Sequence, residues 1–313
     1  MSSVLLLAAL TLGADPTREP VELKTDTGTL FGTIDLPAGS GPWPVVLLHA
    51  GSGPTDRDGN SRLTKNDCLK QVGAALADAG IACLRIDKRG IAASAKAMTK
   101  EEDLRLSTYS DDVTAWANLL RKDKRFTKVG FIGHSEGSLI GSIAAPAAKF
   151  DAFVSLCGPG RTMGDILREQ LKKNLPKELN EACVAIIADL ESGKLVTEVP
   201  KELAALFRPS VQPYLISSLK PDPAKELAKL TFPVLVVSGS TDIQVTEADY
   251  KLLAECRKGV KAVRIEDMNH VLKTVKTTVP LVQQISYSDP KQPLHPKLGG
   301  ELTEFLKSAF EAK

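Results

Sequence analysis

Aromatic residues make up only 5% of this 313-residue chain, too few for the stacking platforms that bind single-stranded nucleic acid. Neither sign of charge is in excess: 40 basic against 38 acidic residues leave a formal net charge of +2, so no general field exists to attract a polyanion. Cysteine is sparse, odd in number and free of any CxxC pair. The five, at 68, 83, 157, 183 and 256, spell out neither a zinc ribbon nor a complete disulfide framework. Cys83 and Cys157 sit in apolar runs (IACLRI and AFVSLCG) and read as small buried hydrophobes. Long apolar runs are also missing. The stretch from Val4 to Leu12 is too short to span a bilayer but has the length of a secretory signal, with Thr11 and Gly13 as small residues before a cut at Ala14. Residues 1–13 are therefore read as a signal and the chain as exported, although no Lys or Arg precedes the stretch; a cytoplasmic protein is the alternative. With no membrane span expected in the mature chain and no nucleic-acid partner, the expected partner is a small molecule.

What is present describes a chain with a full core: 43% hydrophobic residues, 25% charged and 23 glycines. Residues 21–36 hold two short β-favouring runs broken by TDTG, a hairpin pattern. VVLLHA (45–50), IACLRID, VGFI, AFVSLCG (152–158) and PVLVVSG (233–239) are continuous apolar runs, the mark of strands buried on both faces of a parallel sheet. Helical patterns alternate with them. Asn66 or Asp67 is placed to cap a stripe of Leu69, Val72, Leu76 and Ala77, with Gly80 just past its end, and 107–122 carries Val113, Trp116, Leu119 and Leu120 at helical spacing. The stretch of about 160–230 breaks this rhythm with several short, proline-interrupted helices, and reads as a helical cap inserted into one domain covering 21–313. Thr246 is expected to cap a helix through Arg257, residues 262–270 to form the last strand, and an amphipathic helix with Leu302, Phe305, Leu306 and Phe310 to close the chain. The fold class is α/β.

The most informative five residues are Gly133-His134-Ser135-Glu136-Gly137. They follow an apolar run and precede SLIGSIAAPAA, so Ser135 occupies a strand-to-helix turn that can lift its hydroxyl above the sheet edge. A serine hydroxyl needs a base, and the base needs an acid to fix its tautomer; on such an elbow they follow in the order Ser, Asp, His. Asp242 ends PVLVVSGSTD and His270 ends AVRIEDMNH. Glu266 and Asp267 compete as the acid but flank the strand just before the histidine. His134 points away from its neighbour at a sharp turn, His49 belongs to an earlier loop, and His295, between prolines, is expected at the surface, which leaves His270 as the base. An oxyanion would be met by the backbone N–H of Glu136 and by that of Ser52, or alternatively Gly51, after the strand VVLLHA. The Glu136 side chain is expected to be exposed or to pair with Arg57, Lys88 or Arg89, and Asp56, Arg57 and Asp58 to brace the oxyanion loop. That loop lacks the GK[ST] ending of a phosphate cradle.

Taken in order, AGSGPTDRDGN, DKRG followed by a small pair and Ser94, GHSEG, GSTD and NH resemble the α/β-hydrolase superfamily. Within it they are most similar to the bacterial esterases and serine aminopeptidase-like hydrolases with a GSGPxDRDGN loop. The resemblance covers residues 21–312 and implies a mostly parallel eight-stranded sheet, acyl-enzyme hydrolysis, no metal or organic cofactor, and a triad of Ser135, Asp242 and His270. Two departures stand out. After DKRG the chain reads Ile-Ala-Ala-Ser where such loops commonly carry a second glycine, and a long polar connection follows His270. The expected activity is hydrolysis of a carboxylic ester. The alternative is aminopeptidase-like cleavage of small peptides or amides, with Asp165, Glu169 or Glu181 holding the amine; a third reading is a non-catalytic ligand-binding member of the fold.

Overall fold

Strand-forming runs separated by helical stripes build one eight-stranded sheet in a computed structural model that describes residues 16–312. The signal expected at 1–13 lies outside the described residues. The strands are β1 (Thr17–Thr25), β2 (Gly28–Leu36), β3 (Trp43–His49), β4 (Ala82–Ile86), β5 (Phe126–His134), β6 (Ala152–Leu156), β7 (Val234–Gly239) and β8 (Val260–Ile265), in spatial order β1-β2-β4-β3-β5-β6-β7-β8. Only β2 runs antiparallel to its neighbours; the other pairings are parallel. The chain leaves β3 for β4 on one side and returns to β5 on the other, which opens a crevice at the carboxyl ends of β3 and β5.

The central strands alternate their apolar residues between two cores. Val45, Leu47, Leu84 and Phe153 pack on one face under α2 (Leu106–Lys122), α3 (Glu136–Ala148) and α9 (Glu247–Glu255). Val46, Leu48, Cys83 and Val154 pack on the other under α1 (Cys68–Asp78) and α11 (Pro296–Glu311). Trp116 and Leu120 of α2 and Leu302 and Leu306 of α11 are the buried stripes of amphipathic helices. Between β6 and β7 lie α4 (Met163–Asn174), α5 (Lys177–Glu191), α6 (Ala204–Phe207), α7 (Gln212–Leu219) and α8 (Pro223–Ala228). Helices α5 to α7 and the short turn before α6 enclose a small core of their own, built on Ile186, Ile187, Leu190, Leu203, Phe207 and Leu215. All five cysteines are unpaired thiols, four of them buried. No helix among the described residues is long and apolar enough to cross a membrane.

Several local expectations need correction. The last strand stops at Ile265, because residues 266–270 bend back across the end of β7. There a Cβ on Gly239 would lie 1.9 Å from the Met268 carbonyl oxygen, and Thr241 N donates to that oxygen. Helix α9 carries the Thr246 capping box with Asp249 but ends at Glu255. Asp67 stands at the start of α1 at φ 52° without capping it, since Asn60 Nδ2 takes its carboxylate at 2.6 Å; Asn66 Oδ1 instead accepts from Cys68 N. His295 is buried, not at the surface, and its Nδ1 accepts from Lys297 N at the start of α11. An unexpected helix, α10 (Pro280–Tyr287), buries Gln283 and Ser286 while exposing Leu281 and Ile285, the reverse of the pattern that marks a core-facing helix.

The loop Asp87-Lys88-Arg89 after β4 ties three separate segments together. Asp87 accepts from Arg57 N and Nη2 and from Ala93 N, Lys88 donates to the loop after β3, and Arg89 forms a two-point pair with Asp112 on α2. Arg57 Nη1 also reaches Thr33 Oγ1, and Asp58 pairs with buried Arg85, which in turn holds Asp35 at 2.7 Å. The Asp56-Arg57-Asp58 run is thus a brace between sheet and loop. Where a second glycine was missing from the sequence, Ala92 adopts φ 46°, a left-handed conformation that costs an L-residue about 1–2 kcal/mol. Ala92→Gly should therefore raise the urea midpoint, with a net gain of about 0.5 kcal/mol after the extra entropy of an unfolded glycine. A lowered midpoint would show that the Ala92 methyl contributes more than its backbone strain removes.

Candidate active site

Sterics at the end of β5 fix the position of Ser135. A Cβ on Gly133 would lie 2.4 Å from the backbone of Gly137, and one on Gly137 would lie 2.6 Å from the His49 carbonyl oxygen. Strand end, helix start and the neighbouring β3 can meet this closely only without side chains. The turn holds Ser135 at φ 54°, ψ −128°, a conformation sparsely populated by any residue with a Cβ. Its amide is pinned by the Leu156 carbonyl at 2.9 Å, while α3 begins with Glu136, whose N–H at the first helical turn has no partner within the helix. From the other side Gly51 closes in: a Cβ there would sit 2.8 Å from Ser135 Cβ.

Asp242 and His270 come together although 28 residues separate them. Asp242 follows β7, and its Oδ1 accepts from Gln244 N and Val245 N at 2.8 and 3.0 Å. Its Oδ2 lies 2.8 Å from His270 Nδ1, and both side chains are buried. A carboxylate is an acceptor only, so Nδ1 carries the proton and Nε2 keeps its lone pair. Among the described residues no hydrogen bond or ion pair joins Glu266 or Asp267 to the imidazole. His270 lines a cavity of about 590 Å³ together with Ser135, His134, Gly51 and Ser52. No hydrogen bond joins Ser135 Oγ to His270 among the described residues, a looseness common before substrate completes such a site.

The His270 loop is held by polar groups that sequence reading missed. Buried Asn269 accepts from Lys273 N through Oδ1 and donates through Nδ2 to Gln283 Oε1 and Ser286 Oγ. Gln283 passes the connection on to the Thr241 carbonyl, beside Asp242. Buried Lys273 donates to Gln71 Oε1 and the Gln292 carbonyl. Helix α10 was hidden by its inverted pattern, and the signal that could have found this buttress is the pair Gln283 and Ser286, spaced three residues apart on one helix face. His134 has a place in it too. Its Nε2 donates to the His270 carbonyl at 2.8 Å, and burial, followed by the neighbouring His270 ring, pushes its pKa down to about 3, so it is a neutral donor. His49 is likewise neutral, pushed to about 3 by burial and by Lys88, and bonds the Ala50 carbonyl.

The Glu136 side chain is not exposed, as one expectation had it: it is 3% accessible and points to the far side of the elbow. Burial raises its pKa and the Lys88 ammonium opposes that rise; Tyr214 OH lies against the carboxylate without completing a good hydrogen bond. These groups line a second cavity of about 490 Å³ that shares Ser52 with the first. Its other walls are mostly apolar, including Met98, Leu104, Met163, Leu167, Leu206 and Leu215, the last four from the helices between β6 and β7. None of the three acids expected to bind an amine faces either cavity. Asp165 borders a separate cleft, Glu169 is held between Arg161 and Lys173, and Glu181 lies at the surface near Lys177. Cys157, Asp242 and His270 bring three metal-capable atoms within 4.8 Å, yet burial keeps the Cys157 thiol protonated and both Asp242 oxygens already accept hydrogen bonds.

Residues 44–182 match a family described as the α/β hydrolase fold. The chain is 31% identical over 248 residues to Esterase EstD of Thermotoga maritima, a match covering 78% of this chain and 58% of that protein. The chain therefore spans somewhat more than half the length of this relative. Among solved structures, Est1E of Butyrivibrio proteoclasticus with ferulic acid bound superposes with a TM-score of 0.61 at 18% identity, covering 93% of this chain and all of that one. A proline iminopeptidase of Mycobacterium smegmatis gives 0.60 at 13% identity, over 93% and 99% of the two chains. At such identities the likeness is one of fold.

The His134 contact yields a paired prediction. His134→Leu removes the donor to the His270 carbonyl and should lower turnover of a hydrolysed substrate about tenfold, a loss that His134→Gln should largely restore. Because the native pKa is depressed below the unfolded value near 6.5, the native state takes up fewer protons, and stability falls as pH drops through that value. Near pH 5.5 the wild type should have lost about 1.4 kcal/mol that His134→Gln keeps, read from urea titrations at that pH and near pH 8. Identical losses in both proteins would contradict a buried neutral imidazole.

Proposed function

As this chain belongs to the α/β-hydrolase superfamily, we propose that it is a serine hydrolase that cleaves carboxylic esters through an acyl-enzyme, with Ser135 as nucleophile, His270 as base and Asp242 orienting it. The observation that carries this reading is the 2.8 Å contact between His270 Nδ1 and the Asp242 carboxylate, itself held by Gln244 N and Val245 N, facing the cavity into which the Ser135 elbow opens. His270 Nε2 takes the proton of Ser135 Oγ as that oxygen attacks the ester carbonyl carbon. The carbonyl oxygen becomes an oxyanion, met by the N–H groups of Glu136 and Ser52, with Gly51 as the alternative donor. Collapse breaks the bond to the alkoxy oxygen, which leaves as the alcohol with the proton from His270. Water then attacks the acyl-enzyme, gives its proton to His270, and the acid departs as Ser135 regains its hydrogen.

The apolar second cavity beside Ser52 favours an uncharged acyl or alcohol group of moderate size. An amine-binding aminopeptidase finds less support, because Asp165, Glu169 and Glu181 are engaged or directed elsewhere, and the two acids that do line the second cavity, Glu136 and Glu101, face Lys88 and Arg208. Turnover of p-nitrophenyl esters of graded chain length, set beside aminoacyl arylamides, should show esters preferred. A fluorophosphonate probe should label the wild type and leave Ser135→Ala unlabelled, while Asp242→Asn should lower kcat by about 10³–10⁴ with little change in KM. Equal labelling of wild type and Ser135→Ala would sink the proposal.

A further inference from the structure

We propose that Lys88 is a positioning residue for the oxyanion hole: by holding the carbonyl oxygens of Gly51 and Gly53, it fixes the peptide plane that aims the Ser52 N–H. The inference rests on the serine-hydrolase reading and adds to it a side chain outside the triad and its donors. Lys88 is 3% exposed, and its Nζ donates to Gly51 O and, at 2.8 Å, to Gly53 O. A trans peptide is planar, with its C=O and N–H pointing in opposite directions. Turning the Gly51 carbonyl toward Lys88 therefore turns the Ser52 N–H away from it, and Ser52 lines the cavity that holds Ser135. With glycine at 51 and 53 the loop has little of its own to resist a peptide flip. A flipped Gly51–Ser52 peptide would present a carbonyl oxygen where an oxyanion needs a donor.

The surroundings of Lys88 fit this use better than a role as an ion-pair strut. Its ammonium belongs to no ion pair within contact distance among the described residues, whereas the neighbouring Arg89 and Arg57 are both paired with carboxylates. The groups facing it are the Glu136 carboxylate on α3, neutral His49 at the end of β3, and the Tyr109 ring of α2, whose centre is 5.7 Å from Nζ. Tyr214 of α7 stands behind Glu136, and Glu101, in the same cavity, is neutralised by Arg208. Burial brings the Lys88 pKa down to about 8, and Glu136 holds it from falling further. Above that pH the amine still donates, but its bonds lose the assistance of charge.

The test uses the full-length protein and a p-nitrophenyl ester. Lys88→Met should lower kcat by about 30-fold or more with KM within about threefold, since a misaimed oxyanion donor harms the transition state and spares substrate binding. Affinity for a trifluoromethyl ketone, whose adduct with Ser135 places an oxyanion in the hole, should fall in parallel with kcat/KM. The wild-type kcat should fall several-fold through about pH 8, a limb absent from folded Lys88→Met. Glu136→Gln should move that limb to lower pH, which decides the matter if Lys88→Met fails to fold. A flat wild-type profile, a limb unmoved by Glu136→Gln, or a folded Lys88→Met with unchanged kcat and ketone affinity overturns the proposal. Turnover in Ser135→Ala near the wild-type rate would instead overturn the serine-hydrolase reading beneath it.

Discussion

Contact between bare backbones at the end of β5 is the constraint on which the rest of the site depends. Gly133 lies against Gly137, and Gly137 lies against the carbonyl oxygens of His49 and Ala50, so the start of α3 is wedged between two parallel strands. That wedge forces Ser135 into a backbone conformation it would not choose and aligns the end of β3 beside it. Gly51 then approaches Ser135 because nothing on its Cα prevents it. The crevice between β3 and β5 supplies the space, and the glycines decide that the hydroxyl and two loop backbones share it.

Charged side chains act here mostly as struts between loops. Asp87 clamps Arg57, Asp58 and Asp35 share Arg85, and Arg89 spans to Asp112. Buried carboxylates and guanidiniums are tolerated because each has a partner, and removing one partner would strand the other. Lys88 differs in giving its hydrogens to carbonyl oxygens, which links the same loop to the backbone that borders Ser135. Around His270, apart from Lys273, the struts are neutral amides, a hydroxyl and an imidazole: Asn269, Gln283, Ser286 and His134. Neutral donors can surround the imidazole without adding a fixed charge beside it.

Legibility followed the strength of the local signal. Val45 to Leu48, Ala82 to Ile86 and Val234 to Val237 are strands in text and in space, because runs of branched apolar residues have few other uses. The hairpin of β1 and β2 and the stripes of α2 and α11 were readable for the same reason. Helix α10 was not, since it turns Gln283 and Ser286 inward and leaves Leu281 and Ile285 in solvent. His295 was misjudged because flanking prolines suggest an exposed turn, while here Pro296 opens a helix that His295 caps through its ring.

The sequence by itself determined the sheet-forming runs and the elbow around Ser135, because glycine spacing and apolar continuity act over a few neighbouring residues. The absent second glycine after Gly90 was visible there as well, and Ala92 bears the strain at that turn. Only the tertiary structure decided which way Glu136 points, that His134 braces the His270 carbonyl, and that Lys88 holds the loop of Gly51 and Gly53. Each of these depends on burial or on a partner more than 30 residues away in the chain, and burial and partnership are set by packing, which no local pattern encodes.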